Sequence, residues 1–241
     1  MATSANVFNP RLAEQKLYLA AAVTFPLVVL AGYFKSYYFS SFFPDARPLA
    51  NTLVHFHGIV MSTWVVYFVA QVALIRTKNI KLHMTMGFAG IALALLVIVV
   101  GMATAYDAQL VRHVAPPGVD PHSFFILPVS DMTLFVILFA GAIYFRKRPA
   151  EHKSLMLLTA INFMPAALFR IPMVAPDHMV FWAFGTPALL AVLILAWHTW
   201  KHRKFNKIFG AGVALLVIAI PLRLSISESN AWHALVGWIA P

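Results

Sequence analysis

Long apolar runs alternate with short polar segments along the whole chain. Seven of these runs are long enough to cross a bilayer, which takes about 20 apolar residues in a helix. They predict seven transmembrane helices, at residues 17–38, 51–75, 82–106, 122–145, 152–171, 178–200 and 208–224, of which the fifth is the least apolar. We therefore predict an all-α, polytopic membrane helix bundle that forms a single integral membrane domain over residues 1–241.

The segments before the first and after the seventh apolar run lie outside the predicted transmembrane helices. After the seventh run, Ser229 or Asn230 is a suitable N-cap for a short helix at about 229–239. Trp232 and Trp238 would lie in the membrane interface on that helix. Residues 1–16 lack the basic, apolar and small-residue pattern of a cleaved signal, so we expect them to be retained.

The basic residues give the predicted orientation. The chain is 61% hydrophobic, 11% charged and has a formal net charge of +10, which by itself would suggest a nucleic-acid partner. Most of the 18 basic residues, however, fall at one end of the predicted helices: Arg11, Lys16, Arg76, Lys78, Lys81, Arg146, Lys147, Arg148, Lys153, Lys201, Arg203, Lys204 and Lys207. The other end carries Lys35, Arg47, Arg112, Arg170 and Arg223. The positive-inside rule then predicts a cytoplasmic N-terminus and an outside C-terminus, in a membrane such as the bacterial inner membrane, and we expect no nucleic-acid partner.

The second predicted helix begins with two histidines. Residues three and four apart share a helix face, so one stripe contains His57, Met61, Trp64, Phe68 and Gln71. His55 points nearly the opposite way. His57 is the candidate ligand for a haem iron or another metal near the outer surface, whereas the alternative makes both residues interfacial histidines.

Two more histidines lie at the cytoplasmic starts of helices. His83 heads a stripe of small residues on the third helix, which favours close packing of another helix and would also admit a flat porphyrin: Gly87, Gly90, Ala94, Gly101 and Ala105. His152 begins the fifth helix. The two could form an axial pair on a haem if their helices are neighbours, or could both be interfacial.

One carboxylate falls well inside an apolar run. Asp131 lies about nine residues into the fourth helix, where it must be paired, protonated or in contact with water. Arg170 and Arg223 are its candidate partners, and the favoured interpretation is a buried interhelical ion pair. The alternative has one of these arginines binding an anion such as a haem propionate, a quinone-site group or a lipid phosphate. In the outer loop, Asp107, His113, Asp120 and His122 could form a metal site with His57.

Several chemistries are excluded or unsupported. The chain has no cysteine, which rules out disulfides, thiolate metal sites, iron–sulfur clusters and covalent c-type haem attachment. It also has no phosphate-binding Gly-rich loop, nucleophile elbow or His-Glu-x-x-His motif, so the sequence favours a protein that is not an enzyme.

A set of short motifs resembles a group of uncharacterised bacterial polytopic membrane proteins. The motifs are Val-His-Phe-His-Gly at 54–58, Trp64 and Gln71, Lys-Asn-Ile-Lys-Leu-His at 78–83, Gly87, Glu-His-Lys-Ser-Leu-Met at 151–156, Arg-Ile-Pro at 170–172 and Pro-Leu-Arg at 221–223. Met84 stands where the group usually has arginine. The histidines near helix ends also give a looser likeness to cytochrome b561-type haem bundles, which implies a haem-carrying helix bundle.

Three functions follow as hypotheses. The leading one is a b-type haem or quinone-linked electron carrier, with His57 and His122 as outer ligands, His83 and His152 as inner ligands, and Arg170 or Arg223 holding anionic groups. The second is an accessory or assembly subunit of a larger respiratory or photosynthetic membrane complex, packed against other subunits, lipids or pigments. The third is a small-solute or proton transporter that uses Asp131.

Overall fold

The computed structural model describes residues 10–43, 51–171 and 178–241, and these residues contain helices and connections but no strand. Eight α-helices follow one another along the described chain: α1 (Pro10–Tyr33), α2 (Thr52–Arg76), α3 (Ile80–Tyr106), α4 (Pro121–Tyr144), α5 (Pro149–Leu168), α6 (Thr186–His202), α7 (Lys207–Ser227) and α8 (Asn230–Ile239). The predicted basic residue Arg47, the last residue of the 170–172 motif and the first part of the N-terminal segment lie outside the described residues. The helical class and the order of the helices agree with the sequence pattern.

Side-chain caps explain where several helices begin. A capping oxygen accepts a backbone N–H that the first helical turn would otherwise leave unpaired. The caps, each given with the N–H that it accepts, are Asn51 with Val54, Asn79 with Leu82, Asp120 with Ser123, Asn206 with Ile208 and Phe209, and Ser229 with Trp232. The cap at Ser229 matches one of the two residues that the sequence offered for α8.

Short π-helical turns account for the differences from the predicted bounds. Phe34–Tyr38 continues α1, Asp107–Val111 continues α3, and Phe181–Gly185 leads into α6. The predicted first helix therefore ends in a π turn. The predicted sixth helix, which was expected to start at 178, becomes regular only at Thr186.

The bundle has two distinct ends. The connections after α2, α4 and α6 are only a few residues long. Together with the adjoining ends of the helices they carry most of the basic side chains, and we call this the basic end. The opposite end contains the three π turns and α8, and we call it the α8 end. There, Trp232 and Val236 pack with Phe125 and Leu110 in a small apolar cluster separate from the main core. Trp232 is thus buried against α4 rather than in contact with lipid, whereas Trp238 is 82% exposed.

Six helices of the described chain are long and apolar enough to cross a membrane. These segments are Gln15–Tyr38, Thr52–Arg76, Ile80–Val111, Pro121–Tyr144, Phe181–His202 and Lys207–Ser227. Their outer surface is apolar, with large exposed side chains such as Phe88 and Phe181. A surface of this kind is suited to lipid, so the chain is an integral membrane protein.

The helix that is absent from this set, α5, is the most enclosed. It packs against α1, α4, α6 and α7, and 13 of its 20 residues are buried. Its polar side chains are satisfied within the protein: Ser154 donates to Ala150 O at 2.7 Å and Thr159 donates to Met156 O at 2.7 Å. At Gly32 the α1 backbone packs directly on the backbone of Ala167, a position with no room for a side chain. Since α5 is covered by protein, it does not need the apolar composition of a lipid-facing helix.

Candidate functional site

His83 and His152 lie side by side at the basic end. His83 is in the first turn of α3, which Asn79 caps, and His152 is in the first turn of α5, which starts with Pro149. Their ring centroids are 6.3 Å apart and the ring planes are inclined by 76°. The sequence named these two residues as an inner pair on the condition that their helices were neighbours, and the structure brings them together.

The nitrogens of this pair are suited to binding a metal. His152 Nδ1 is 2.8 Å from the backbone oxygen of Ala142. A carbonyl can only accept, so Nδ1 carries a proton, and in the neutral ring the lone pair is on Nε2. A backbone carbonyl holding the other ring N–H is the usual support of a metal-bound histidine. His83 Nδ1 is buried and has no hydrogen-bond partner among the described residues.

The separation of the two rings fits a shared central ion. When a histidine binds a metal, its ring centre lies about 3 Å from the ion, because a metal–nitrogen bond of about 2 Å adds to the roughly 1 Å from the nitrogen to the ring centre. Two such rings on opposite sides of one ion are separated by about twice this length, which matches the observed 6.3 Å. The donor set consists of two imidazoles and no thiolate, which is the axial set of many b-type haems. The distance between the two rings is thus that of two imidazoles on one metal ion, and His83 and His152 are the residues that would hold an iron or another imidazole-binding metal at this end.

The small-residue stripe on α3 is filled along most of its length. The space at Gly90 is taken by the Tyr67 ring, and the space at Gly101 by the Met132 side chain. The prediction of a groove open to a porphyrin is wrong at these positions, because neighbouring helices occupy it. Gly87 is the exception: it lies one turn from His83, and a side chain there would meet nothing within 4 Å.

The His57 stripe on α2 faces the protein. Trp64 is only 2% exposed and packs edge-on against Phe135 of α4 at 5.1 Å between ring centroids. The buried atoms His57 Nδ1, Trp64 Nε1 and Gln71 Oε1 have no partner in the described protein. His55 is exposed, and its backbone oxygen accepts a hydrogen bond from the Tyr37 hydroxyl at 3.3 Å.

Asp131 forms an ion pair with Arg223 inside the bundle. Arg223 Nη1 is 2.9 Å from Asp131 Oδ1, with 4% of the arginine and 16% of the aspartate side chain exposed. Arg223 Nε also donates to Ala219 O at 3.1 Å, and the guanidinium lies 4.2 Å from the centre of the Phe184 ring. Asn162 of α5 donates to the backbone oxygen of Asp131 at 2.8 Å. Four segments of the bundle thus meet at one charge pair.

Arg170, the other candidate partner, lies elsewhere. Its side chain is exposed, stacks over the Tyr33 ring at 4.4 Å and donates to the backbone oxygen of Ala166. Arg223 has Asp131 as its partner, which is the ion pair that the sequence favoured over a free anion.

A small cavity adjoins the ion pair. Its volume is ≈ 20 Å³, which is room for about one water molecule, and its lining includes Asp131, Asn162, Pro165 and Arg223. Pro165 has no N–H, so the Ile161 carbonyl one turn earlier loses its usual helical donor. Prolines also occur close to Asp131 and Arg223 along the chain: Pro128 lies in α4 and Pro221 lies in α7.

A second group of ligand-type side chains lies at the α8 end. Asp120, His122 and His233 each place one ligand atom within 4.8 Å of the others. The ring of His113 is close, with its centroid 6.3 Å from that of His122. Partial burial raises the pKa of Asp120, but hydrogen bonds from Ser123, supported by the nearby histidines, outweigh it and hold this pKa below its ordinary value. Asp120 is therefore a carboxylate at neutral pH.

This group differs from the outer metal site that the sequence suggested. His57 is not a member of it, and among the described residues no cluster of three ligand-type side chains contains both His57 and His122. Asp107 is used in another way: it accepts from Asn51 at 3.0 Å and from Arg112 at 2.7 Å. His233 is not among the site residues predicted from the sequence, because its contact with the start of α4 depends on how α8 docks.

Comparison with known proteins gives no relative: no family model, no curated protein and no solved structure matches this chain.

Proposed function

We propose that this protein is a membrane electron carrier that holds one b-type haem between His83 and His152. The observation that carries the proposal is the histidine pair itself, with rings 6.3 Å apart, the proton of one ring fixed by Ala142, and a buried unpartnered nitrogen on the other. When bound, the haem would supply one-electron transfer, with its potential tuned by the surrounding hydrogen bonds and burial.

The neighbouring residues suit an anionic, flat cofactor. Lys81 lies two positions before His83, and Lys153 directly follows His152. The Lys81 ammonium group is the candidate to interact with a propionate, in place of Arg170 and Arg223 at the other end. The Lys153 ammonium group lies over the Tyr18 ring, 5.4 Å from its centre. The open face of Gly87 is next to His83 and accepts the edge of a flat ring.

The proposed arrangement in the membrane has seven spans, with the N-terminus and the basic end in the cytoplasm. The enclosed helix α5 is the seventh span, since protein rather than lipid covers it. The clustering of basic side chains at one end supports the orientation and a bacterial inner membrane. In this arrangement the haem lies near the cytoplasmic surface, where a soluble or membrane-bound redox partner can reach it.

The test is an absorbance spectrum of detergent-purified protein produced with haem supply. We expect a Soret band that shifts on reduction, one haem per chain, and at least a tenfold loss of bound haem in His83→Ala and in His152→Ala. His202→Ala is the matched control, because His202 is an exposed histidine at the same end, and it should keep the full haem content.

Two further measurements distinguish loss of the haem ligand from loss of the fold. Each variant is compared by size-exclusion profile and helical circular dichroism. His83→Met retains an iron ligand, so it should keep the haem and shift the reduced spectrum. Wild-type protein that is folded and colourless, or a haem content unchanged in both alanine variants, would refute the proposal.

A further inference from the structure

The α8 end contains a group of side chains that the proposed haem does not use. Asp120 and His122 belong to the start of α4, and His233 belongs to α8, more than a hundred residues later. Their ligand atoms lie within 4.8 Å of one another. The group is at the opposite end of the bundle from His83 and His152, so it is independent of the proposed function.

The supporting contacts hold the two elements in fixed relation. Trp232 Nε1 of α8 donates to the backbone oxygen of His122 at 2.9 Å, and Tyr106 donates to the backbone oxygen of Ile239 at 3.0 Å. Trp232 is 8% exposed and packs near Phe125. The buried Trp232 side chain and its hydrogen bond to His122 thus fix the position of His233 relative to His122.

The hydrogen bonds of the group leave one carboxylate oxygen available. The Ser123 hydroxyl is 3.2 Å from the Ser227 backbone oxygen and 3.3 Å from His233 Nε2, so it links His233 to the end of α7. Asp120 uses Oδ2 to accept the Ser123 N–H at 2.7 Å, so Oδ1 is left for another partner.

We infer that Asp120, His122 and His233 bind one divalent transition-metal ion, for which Zn²⁺ is the best fit. Two imidazoles and one carboxylate form a donor set that Zn²⁺ favours, with the fourth position taken by water or by His113. The Ser123 oxygen that orients His233 is the kind of outer support that metal-bound histidines use. Bound metal would join α8 to the start of α4.

The first measurement is Zn²⁺ binding to the purified full-length protein, by titration calorimetry and by metal analysis after gel filtration. We expect one Zn²⁺ per chain at this site and a rise in the unfolding temperature when Zn²⁺ is added, since a ligand that binds only the folded state stabilises it. These readouts do not depend on whether haem is bound.

The variants are chosen to remove a ligand and leave the fold. Asn is as good an N-cap as Asp, so Asp120→Asn keeps the start of α4 and loses the carboxylate. His122→Ala keeps the backbone oxygen that Trp232 uses. Each should lower Zn²⁺ affinity by at least about 100-fold, the upper end of what is lost when only an outer partner is removed. The control His178→Ala changes an exposed histidine outside the cluster and should bind as the wild type does.

The Zn²⁺-binding results of these variants either support or overturn the proposed metal site. Loss of binding and of thermal stabilisation in Asp120→Asn and His122→Ala, with both retained in His178→Ala, supports the site. No binding by the wild type, or equal affinity in all of these proteins, overturns it. Should one variant fail to fold, the other and His233→Gln decide the question, because each removes a different ligand.

Discussion

The ion pair between Asp131 and Arg223 gives the sharpest prediction for stability. Replacing Arg223 by methionine removes a guanidinium that is 4% exposed and 2.9 Å from the carboxylate. Asp131 is then left as a buried charge without its partner, and breaking a buried pair in this way typically costs about 3–5 kcal/mol. The lost contact with the Phe184 ring adds to the cost, because a desolvated cation–π contact is worth about 2 kcal/mol. We expect Arg223→Met to lower the free energy of unfolding by at least about 3 kcal/mol.

A double variant distinguishes the effect of the ion pair on stability from the effect of packing. Asp131→Leu combined with Arg223→Met removes both charges, and replacement of a whole buried pair by apolar side chains is often neutral or stabilising by about 1–4 kcal/mol. The double variant should therefore be more stable than Arg223→Met alone. Arg170→Met is the matched control: it removes an exposed arginine near the same end that also stacks on an aromatic ring, and should cost about 1 kcal/mol or less.

The assay is unfolding in mixed micelles with increasing SDS, followed by tryptophan fluorescence and circular dichroism. Thiol-reactive unfolding dyes cannot be used, because the chain has no cysteine. The reasoning is refuted if Arg223→Met is as stable as the wild type, or if the double variant is no more stable than the single one. Either result would mean that Asp131 is accommodated without Arg223.

Two further predictions concern packing and topology. Gly32→Val should destabilise the protein by about 1–3 kcal/mol in the same unfolding assay, since the new side chain meets the Ala167 backbone. The control Gly237→Ala, at a position with nothing within 4 Å, should be neutral or slightly stabilising. Equal effects of the two substitutions would contradict the close approach of α1 and α5. In intact cells, a membrane-impermeant maleimide should label Val119→Cys and should label Lys147→Cys only after permeabilisation, and the reverse pattern would refute the proposed orientation.

Local features of the sequence predict most of the helices. Apolar runs and capping residues such as Asn51 and Ser229 place the helix starts close to where they occur. The π turns were missed, because their backbone differs from an α-helix in a way that hydrophobic periodicity does not record. The sequence marks the fifth run as the least apolar, but it does not show that other helices cover α5 while six helices present apolar side chains to the outside.

The sites depend on how the helices are rotated and docked. Asp131 stands out in the sequence because of its cost in hydrocarbon, but Arg170 and Arg223 were equal candidates until the facing sides of α4 and α7 were known. His83 and His152 were paired from their similar depth. The contact of His233 with Asp120 and His122 depends on the docking of α8, which the sequence treated as a helix lying in the interface rather than one fixed by Trp232 to α4.

The composition of α5 has a consequence for how the protein is made. A segment that begins with Glu151, His152 and Lys153 and contains Asn162 is a poor substrate for independent insertion, because each charged or polar residue raises its transfer free energy into lipid. The connection from α4 to α5 is short, and the two helices pack along their lengths. We therefore expect α5 to leave the translocon together with α4 as a helical hairpin, so that the Asp131 and Asn162 groups reach the membrane already shielded by each other's helix.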